Sequence, residues 1–254
     1  MIVLLASAFG LCIGSFLNVC IYRLPREESV VSPGSRCPSC GTAIPWFDNV
    51  PVLSYVLLGG RCRHCKARFS ARYALVELLT AALFALTAAT VEPGALLAVR
   101  LVFVSMLVAL FFIDLEHQLL LDVITLPGIV IGVVASVVLA PGLASSLMGA
   151  ALGAGILFAI RWLWKRATGV DGMGLGDVKM LAMIGAFLGW QQVFFTLFVA
   201  SLAGAAVGIS IAVVGKGSMQ SRLPFGTFLA VAALIGALVG EPVIAWYVGL
   251  ITLQ

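Results

Sequence analysis

Long apolar runs dominate the chain, and they decide its class. Runs of 15 to 25 residues, rich in Ala, Leu, Val and Gly, recur along nearly the whole length. Of the 254 residues only 10% are charged and 62% are hydrophobic, against about 25% charged in soluble domains. Such a chain has too little polar surface to cover itself in water. It reads as an all-α integral membrane protein with several spans. A helix needs about 20 residues to cross roughly 30 Å of hydrocarbon. On that measure about eight spans fall near 1–22, 73–91, 95–113, 123–140, 143–164, 178–190, 192–214 and 225–240. The sixth is short and reads as broken or tilted. The apolar 241–254 tail either extends the eighth span past a kink or lies along the interface. The opening run lacks a basic start and a small-residue cleavage site, so it reads as a retained first span. No internal repeat or low-complexity segment stands out.

The charges divide the chain into three parts. Eight of the 15 Lys and Arg lie between Arg23 and Arg72, the one long stretch without a spanning run. This gives a first helix over 1–22, a small polar insert over 23–72, and a membrane domain over 73–254. If the insert is cytoplasmic and the spans alternate, Arg161, Lys165, Arg166, Lys179, Lys216 and Arg222 fall on the cytoplasmic side, and only Arg100 sits towards the other. Fourteen basic residues against one is a strong positive-inside signal. It also checks the number of spans, because one more or fewer in mid-chain would scatter the basic loops.

The insert carries Cys37-Pro38-Ser39-Cys40 and Cys62-Arg63-His64-Cys65, with 21 residues between the pairs. Each CxxC turn presents two sulfurs, and the loop between lets the turns meet, as tetrahedral zinc requires. An insert of this size has little core of its own, so a metal can supply much of its folding energy. The alternative is two disulfides, which a reducing cytoplasm disfavours. Four thiolates leave no open position, so a structural role for Cys37, Cys40, Cys62 and Cys65 is expected. His64 reads as a solvated side chain, and Cys12 and Cys20 as small buried hydrophobes of the first span.

Acids in spans are expensive and usually serve a purpose. Asp114 ends the third span, Asp122 opens the fourth, and Asp177 stands where the sixth begins, in Gly172-Met173-Gly174-Leu175-Gly176-Asp177-Val178-Lys179. By alternation Asp114 and Asp177 share one membrane edge. Two carboxyls that meet in a semi-apolar site share a proton, because like charges resist joint ionisation. The ionised member can take a proton from water while the other polarises a carbonyl. Gly172, Gly174 and Gly176 permit a non-helical turn and close approach of a substrate backbone. Singly, each feature has a plainer reading: a flexible loop, an acid snorkelling into water, or a helix N-cap at Asp122 and Asp177. Asp122 is the reserve candidate for the pair.

At these residues the chain resembles the type IV prepilin peptidases, GxGD-type intramembrane aspartyl proteases. The likeness runs through Gly14–Pro25, the two knuckles, Ile44–Tyr55, Gly60–Arg63, Arg72–Glu77, Ile113–Leu120 and Gly174–Asp177. It implies Asp114 and Asp177 as the catalytic pair, Gly172, Gly174, Gly176 and Lys179 in an active-site loop, and a cytoplasmic zinc insert. It further implies a bacterial inner-membrane enzyme that removes the basic leader of type IV prepilins or type II secretion pseudopilins. Many members then methylate the new amino terminus with S-adenosylmethionine. No nucleotide-fold motif marks where that donor would bind. Two departures stand out: Leu121 precedes Asp122 where Pro is frequent, and Thr227 occupies a position in Pro224–Leu229 where Pro is common. Neither touches a proposed catalytic group, so they bear on local loop geometry and not on the chemistry.

The expected partners are the prepilin substrates and membrane lipid, with no nucleic acid. Two other classes compete. An ion-coupled carrier also uses intramembrane acids beside a short Gly-flanked span, but has no need of two CxxC knuckles. A zinc-organised scaffold would survive loss of both acids.

Overall fold

A computed structural model describes residues 1–213 and 224–252. Lys216 and Arg222, two of the basic residues used for orientation, lie outside the described residues. The chain forms two compact units, Met1–Ala109 and Leu110–Gln254.

Each of the eight apolar segments becomes a helix. In the first unit α1 spans Ile2–Arg23, a short α2 spans Leu53–Leu57, α3 spans Arg72–Thr90, and α4 begins at Ala95. α4 runs to His117 in the second unit, followed by α5 (Asp122–Ala135), α6 (Leu143–Thr168), α7 (Leu175–Leu188), α8 (Trp190–Val213) and α9 (Phe225–Ile235). A π turn over Gly236–Gly240 leads into α10, Glu241–Thr252. The tail after the eighth span is therefore helical.

Five of these helices, α1, α3, α4, α6 and α8, are long and apolar enough to cross a membrane. With 14 residues each, α5 and α7 reach about 21 Å at 1.5 Å per residue. The fourth run was expected to stay helical to 140, but α5 stops at Ala135. There the Ser136 hydroxyl, buried, bonds back to the Gly132 carbonyl at 2.8 Å and also reaches the Ala186 carbonyl of α7 at 3.5 Å. Side-chain back-bonding of this kind competes with the helical ladder.

Lipid gives no hydrophobic reward for helix association, so close backbone contact must supply it. In the first unit α1 lies along α3 through Gly10 and Gly14; a Cβ on Gly14 would stand 2.7 Å from Glu77 Cα. In the second unit α6 meets α7 through Gly149 and Gly153. Cβ atoms there would fall 2.4 Å from the Gly185 carbonyl oxygen and 2.5 Å from that of Leu181. The Ser146 hydroxyl fixes the register by donating to the Ala186 carbonyl at 2.7 Å. As a result α7 is the central helix of its unit, and every residue from Met180 to Leu188 is buried. Around it, Phe158 and Trp162 of α6 and Phe194 and Phe198 of α8 stay exposed, as lipid-facing side chains would.

The insert is built from two matching turns, a local repeat that the sequence reading overlooked. In the first, Cys37 N–H donates to the Thr42 carbonyl and Gly41 N–H to the Cys37 carbonyl. In the second, Cys62 N–H donates to the Ala67 carbonyl and Lys66 N–H to the Cys62 carbonyl. Gly41 (φ +69°) and Lys66 (φ +61°) take the same left-handed conformation just after the second cysteine of each pair. Arg36 bridges to Ala43 and Arg61 to Arg68 in the same relation. The different residues filling the two turns hide the repeat from inspection by composition.

Candidate active site and candidate metal centre

The candidate metal centre belongs to the first unit. The Sγ atoms of Cys37, Cys40, Cys62 and Cys65 all lie within 4.8 Å of one another. Cys37 and Cys65 Sγ are 3.7 Å apart. Tetrahedral zinc with bonds of about 2.3 Å needs sulfurs about 3.8 Å apart, whereas a disulfide needs about 2.05 Å. The turns act on the thiols unequally: against the Ala67 N–H, burial and the other three thiols push Cys65 up to about 11. N–H groups of Cys65 and His64 point at Cys62 Sγ and hold that thiol below its ordinary value. Cys40, with Sγ 3.3 Å from Thr42 Oγ1, is brought down to about 6 by its hydrogen bonds with the Thr42 side chain and backbone. The donor set and its geometry therefore fit one closed, four-thiolate metal ion. His64 is exposed. Asp48, on the loop between the turns, takes two hydrogen bonds from Arg63 at 2.7 and 2.6 Å. Those bonds hold its carboxyl below the usual carboxylate range and tie the loop to the second turn.

The acids are in the second unit. Asp114 stands in the last turn of α4, which closes where Gln118 turns left-handed (φ +53°) and its N–H donates to the Asp114 carbonyl at 2.8 Å. A carboxylate at a helix C-terminus faces an unfavourable dipole. The compensation comes from α9. Asp114 is only 4% exposed, and its Oδ2 accepts the Thr227 backbone N–H at 2.7 Å. Thr227 is the third residue of α9, where N–H groups lack intrahelical partners and the dipole favours an anion. Its hydroxyl donates to the Pro224 carbonyl at 2.6 Å and closes the helix start.

Asp177 stands in the first turn of α7, with N–H groups of Gly174 and of Asp177 itself directed at its carboxyl. It is close enough to Asp114 to feel that residue's charge. The fold thus brings together the two acids singled out in the sequence. Leu120 joins their surroundings: Cβ atoms on Gly176 and Gly226 would stand 2.7 and 2.9 Å from its side chain.

The four positions expected in one active-site loop separate. Gly172 is in the loop, packed on the Trp164 ring. Gly174 is the N-cap of α7, and Gly176 and Lys179 are helical. None of the three glycines has a positive φ, so their use is close approach and not an unusual turn. From α6, Arg161 anchors the loop to the Met173 carbonyl and pairs with Asp171 at 2.9 Å, and Lys165 reaches Asp171 at 3.3 Å. Lys179 holds Asp122, with Nζ 2.7 Å from both carboxylate oxygens. The reserve acid is therefore neutralised by a cation.

Two contributors escaped the sequence reading. The departure at Thr227 does touch a proposed catalytic group, because its N–H is the hydrogen-bond donor to Asp114. Gly226 beside it leaves the room that the carboxyl fills, since a Cβ there would stand 2.9 Å from Asp114 Oδ2. A backbone donor leaves no mark on residue type, and the only signal was the departure itself.

Two family models match the chain in succession. Residues 8–91 match the family described as Bacterial Peptidase A24 N-terminal domain, and residues 101–209 match the Type IV leader peptidase family. The chain is 38% identical over 274 residues to a prepilin leader peptidase/N-methyltransferase of Aeromonas salmonicida, covering 97% of this chain and 94% of that one. It is 40% identical over 264 residues to the protein of that name from Pseudomonas putida (95% and 92%), and 37% identical over 273 residues to the one from Pseudomonas aeruginosa (96% and 93%). No solved structure matches.

Proposed function

The chain belongs to the type IV leader peptidase family, and on that premise we propose that it removes the leader peptide from prepilins and then methylates the freed amino terminus. It is a multi-pass membrane enzyme. The positive-inside distribution supports a cytoplasmic position for the insert and for the cleavage chemistry, in a bacterial inner membrane. The substrates on this reading are type IV prepilins or type II secretion pseudopilins, presented with their basic leaders on that side.

The carrying observation is the pairing of two carboxyls in a largely apolar surround. We assign cleavage to Asp114 and Asp177 acting as a dyad. The ionised partner takes a proton from the attacking water while the protonated one donates to the scissile carbonyl oxygen. The proton gained from water then passes to the leaving amine as the peptide bond breaks. The α9 N-terminus steadies negative charge on Asp114. Lys179 removes Asp122 from the competition by pairing with it. Gly172, Gly174 and Gly176 line the approach to Asp177, where an extended substrate segment needs room.

Cys37, Cys40, Cys62 and Cys65 would hold one structural zinc, which supplies folding energy to the insert when bound. S-adenosylmethionine is the expected methyl source. When bound it would supply a methyl group activated by a sulfonium sulfur, and the freed amine would receive that methyl group and lose its proton to water.

The test is Asp114→Asn and Asp177→Asn, each assayed on a prepilin by gel mobility. Both variants should accumulate in the membrane and leave the leader uncut. Near-normal processing by either one would remove the dyad.

A further inference from the structure

The first unit contains a cavity of about 390 Å³, enclosed by the second half of α1, the start of α3 and the insert chain. That volume falls in the ~300–1,000 Å³ range of small-molecule sites. Its lining has unused bonding capacity. Asn18 is 4% exposed, and its Nδ2 donates to the Tyr73 carbonyl at 3.0 Å, while Oδ1 has no partner among the described residues. Glu77 is 7% exposed; its carboxylate accepts the Val52 N–H at 2.7 Å and a hydrogen bond from the Ser15 hydroxyl, both neutral donors. Among the described residues no lysine or arginine pairs with it. Burying an acceptor without a donor and a carboxylate without a cation is unfavourable. The same carboxylate holds Val52, a β-branched residue, at φ +59°, a conformation that persists only where the surroundings enforce it. These features describe a site shaped for a ligand that brings donors and positive charge.

The rest of the lining is of two kinds. Phe69 and Tyr73, packed edge-to-face at 6.4 Å, and Tyr22, which carries Arg26 on one face, offer aromatic surface beside a planar ring, and Arg36 and Arg61 offer charge for a carboxylate. We propose that this cavity is the methyl-donor site, taking S-adenosylmethionine with its base among the aromatic side chains, its cationic groups towards Glu77 and Asn18, and its carboxylate towards arginine. Each demand of the ligand then has a counterpart: a flat apolar ring, a sulfonium and ammonium, and an acid. The inference rests on the methyltransferase reading above and gives that activity its residues.

Binding is measured on the purified, metal-loaded full chain in detergent, by calorimetric titration with S-adenosylmethionine and with its product S-adenosylhomocysteine. One molecule should bind per chain. Glu77→Gln keeps an oxygen for the Val52 N–H but removes the charge, and should weaken the methyl donor by about tenfold or more, the scale of one lost charge-assisted contact. Val19→Phe fills the cavity from the α1 wall without touching Glu77 and should weaken both ligands. Zinc content and the melting transition report whether the variants are folded. Hydrogen exchange on the unaltered chain needs no variant: the product should slow exchange around Asn18 and Val52. If the chain methylates prepilin while both folded variants bind as before, or the ligand protects only other segments, the cavity assignment is overturned and the methyltransferase reading stands. If the unaltered chain neither binds nor methylates, both fall.

Discussion

Gly226→Ala is the sharpest probe of how Asp114 is held. A Cβ at this position would lie 2.9 Å from Asp114 Oδ2 and from both Leu120 methyl carbons. Ordinary contact begins at 3.4 Å, so the carboxyl must retreat by about 0.5 Å, which is enough to spoil a 2.7 Å bond to the Thr227 N–H. A hydrogen bond to a charged group contributes about 1.5–3 kcal/mol, which corresponds to roughly 10- to 100-fold in rate. The backbone at Gly226 is helical, and alanine favours helix over glycine, so the protein should accumulate normally. Gly174→Ala is the control beside the other acid. Gly174 has φ −71°, and its added Cβ would meet Asp177 Oδ2 at 3.4 Å, an ordinary contact. Single-turnover cleavage of a prepilin in detergent should therefore slow about 10- to 100-fold for Gly226→Ala and by less than about threefold for Gly174→Ala. Full activity of Gly226→Ala together with loss of activity in Gly174→Ala would refute the proposed anchoring.

Metal analysis should find one zinc per chain, and Cys37→Ser should lower it; a value near zero with the cysteines oxidised would overturn the metal site. Gly153→Leu drives a side chain into the Leu181 backbone, only 2.5 Å from its Cβ position, and should cut the amount of folded protein sharply. Gly155→Leu, with nothing within 4 Å, should not; equal accumulation of the two would count against the α6–α7 contact. The Cys37→Ser, Cys40→Ser double variant should lose methylation more than cleavage, and equal loss in folded enzyme would show that the insert serves both reactions.

Much of this molecule could be read before any coordinate. Apolar runs located the helices because in lipid the backbone must satisfy itself, which leaves few alternatives to a helix. The CxxC spacing located the four-cysteine cluster, the candidate metal site, because few chemistries use four thiols in that pattern. What stayed hidden depends on packing or on backbone groups. Asn18 and Glu77 are polar residues inside spans, and Glu77 passed without notice as part of a family-like string, although burial of an acid is itself a signal. Thr227 contributes an N–H that nearly any residue could supply. The end of α5 turned on one serine choosing a carbonyl within its own helix. The two knuckles are one turn used twice, yet they share little besides cysteine.

The three acids at the starts and ends of α4, α5 and α7 show why spacing alone could not separate a pair from a trio. All three lie near helix termini, and each has the same side chain. The structure sorts them by what else reaches each carboxyl. Asp122 meets a lysine ammonium with both oxygens at 2.7 Å, so its carboxylate is already committed to an ion pair. Asp114 and Asp177 meet backbone N–H groups and each other. Backbone donors stabilise a negative charge without neutralising it, and on the proposed assignment the two carboxyls share one proton. Lys179 lies two residues beyond Asp177 on the same helix, so the segment that delivers one member of the proposed dyad also delivers the cation that occupies the third acid. Replacing Lys179 by methionine would release Asp122 while leaving Asp114 and Asp177 in place. The resulting defect should then be rescued by Asp122→Asn, which removes the freed charge. A defect that persists in the double variant would mean that Lys179 acts on the substrate or on the dyad itself.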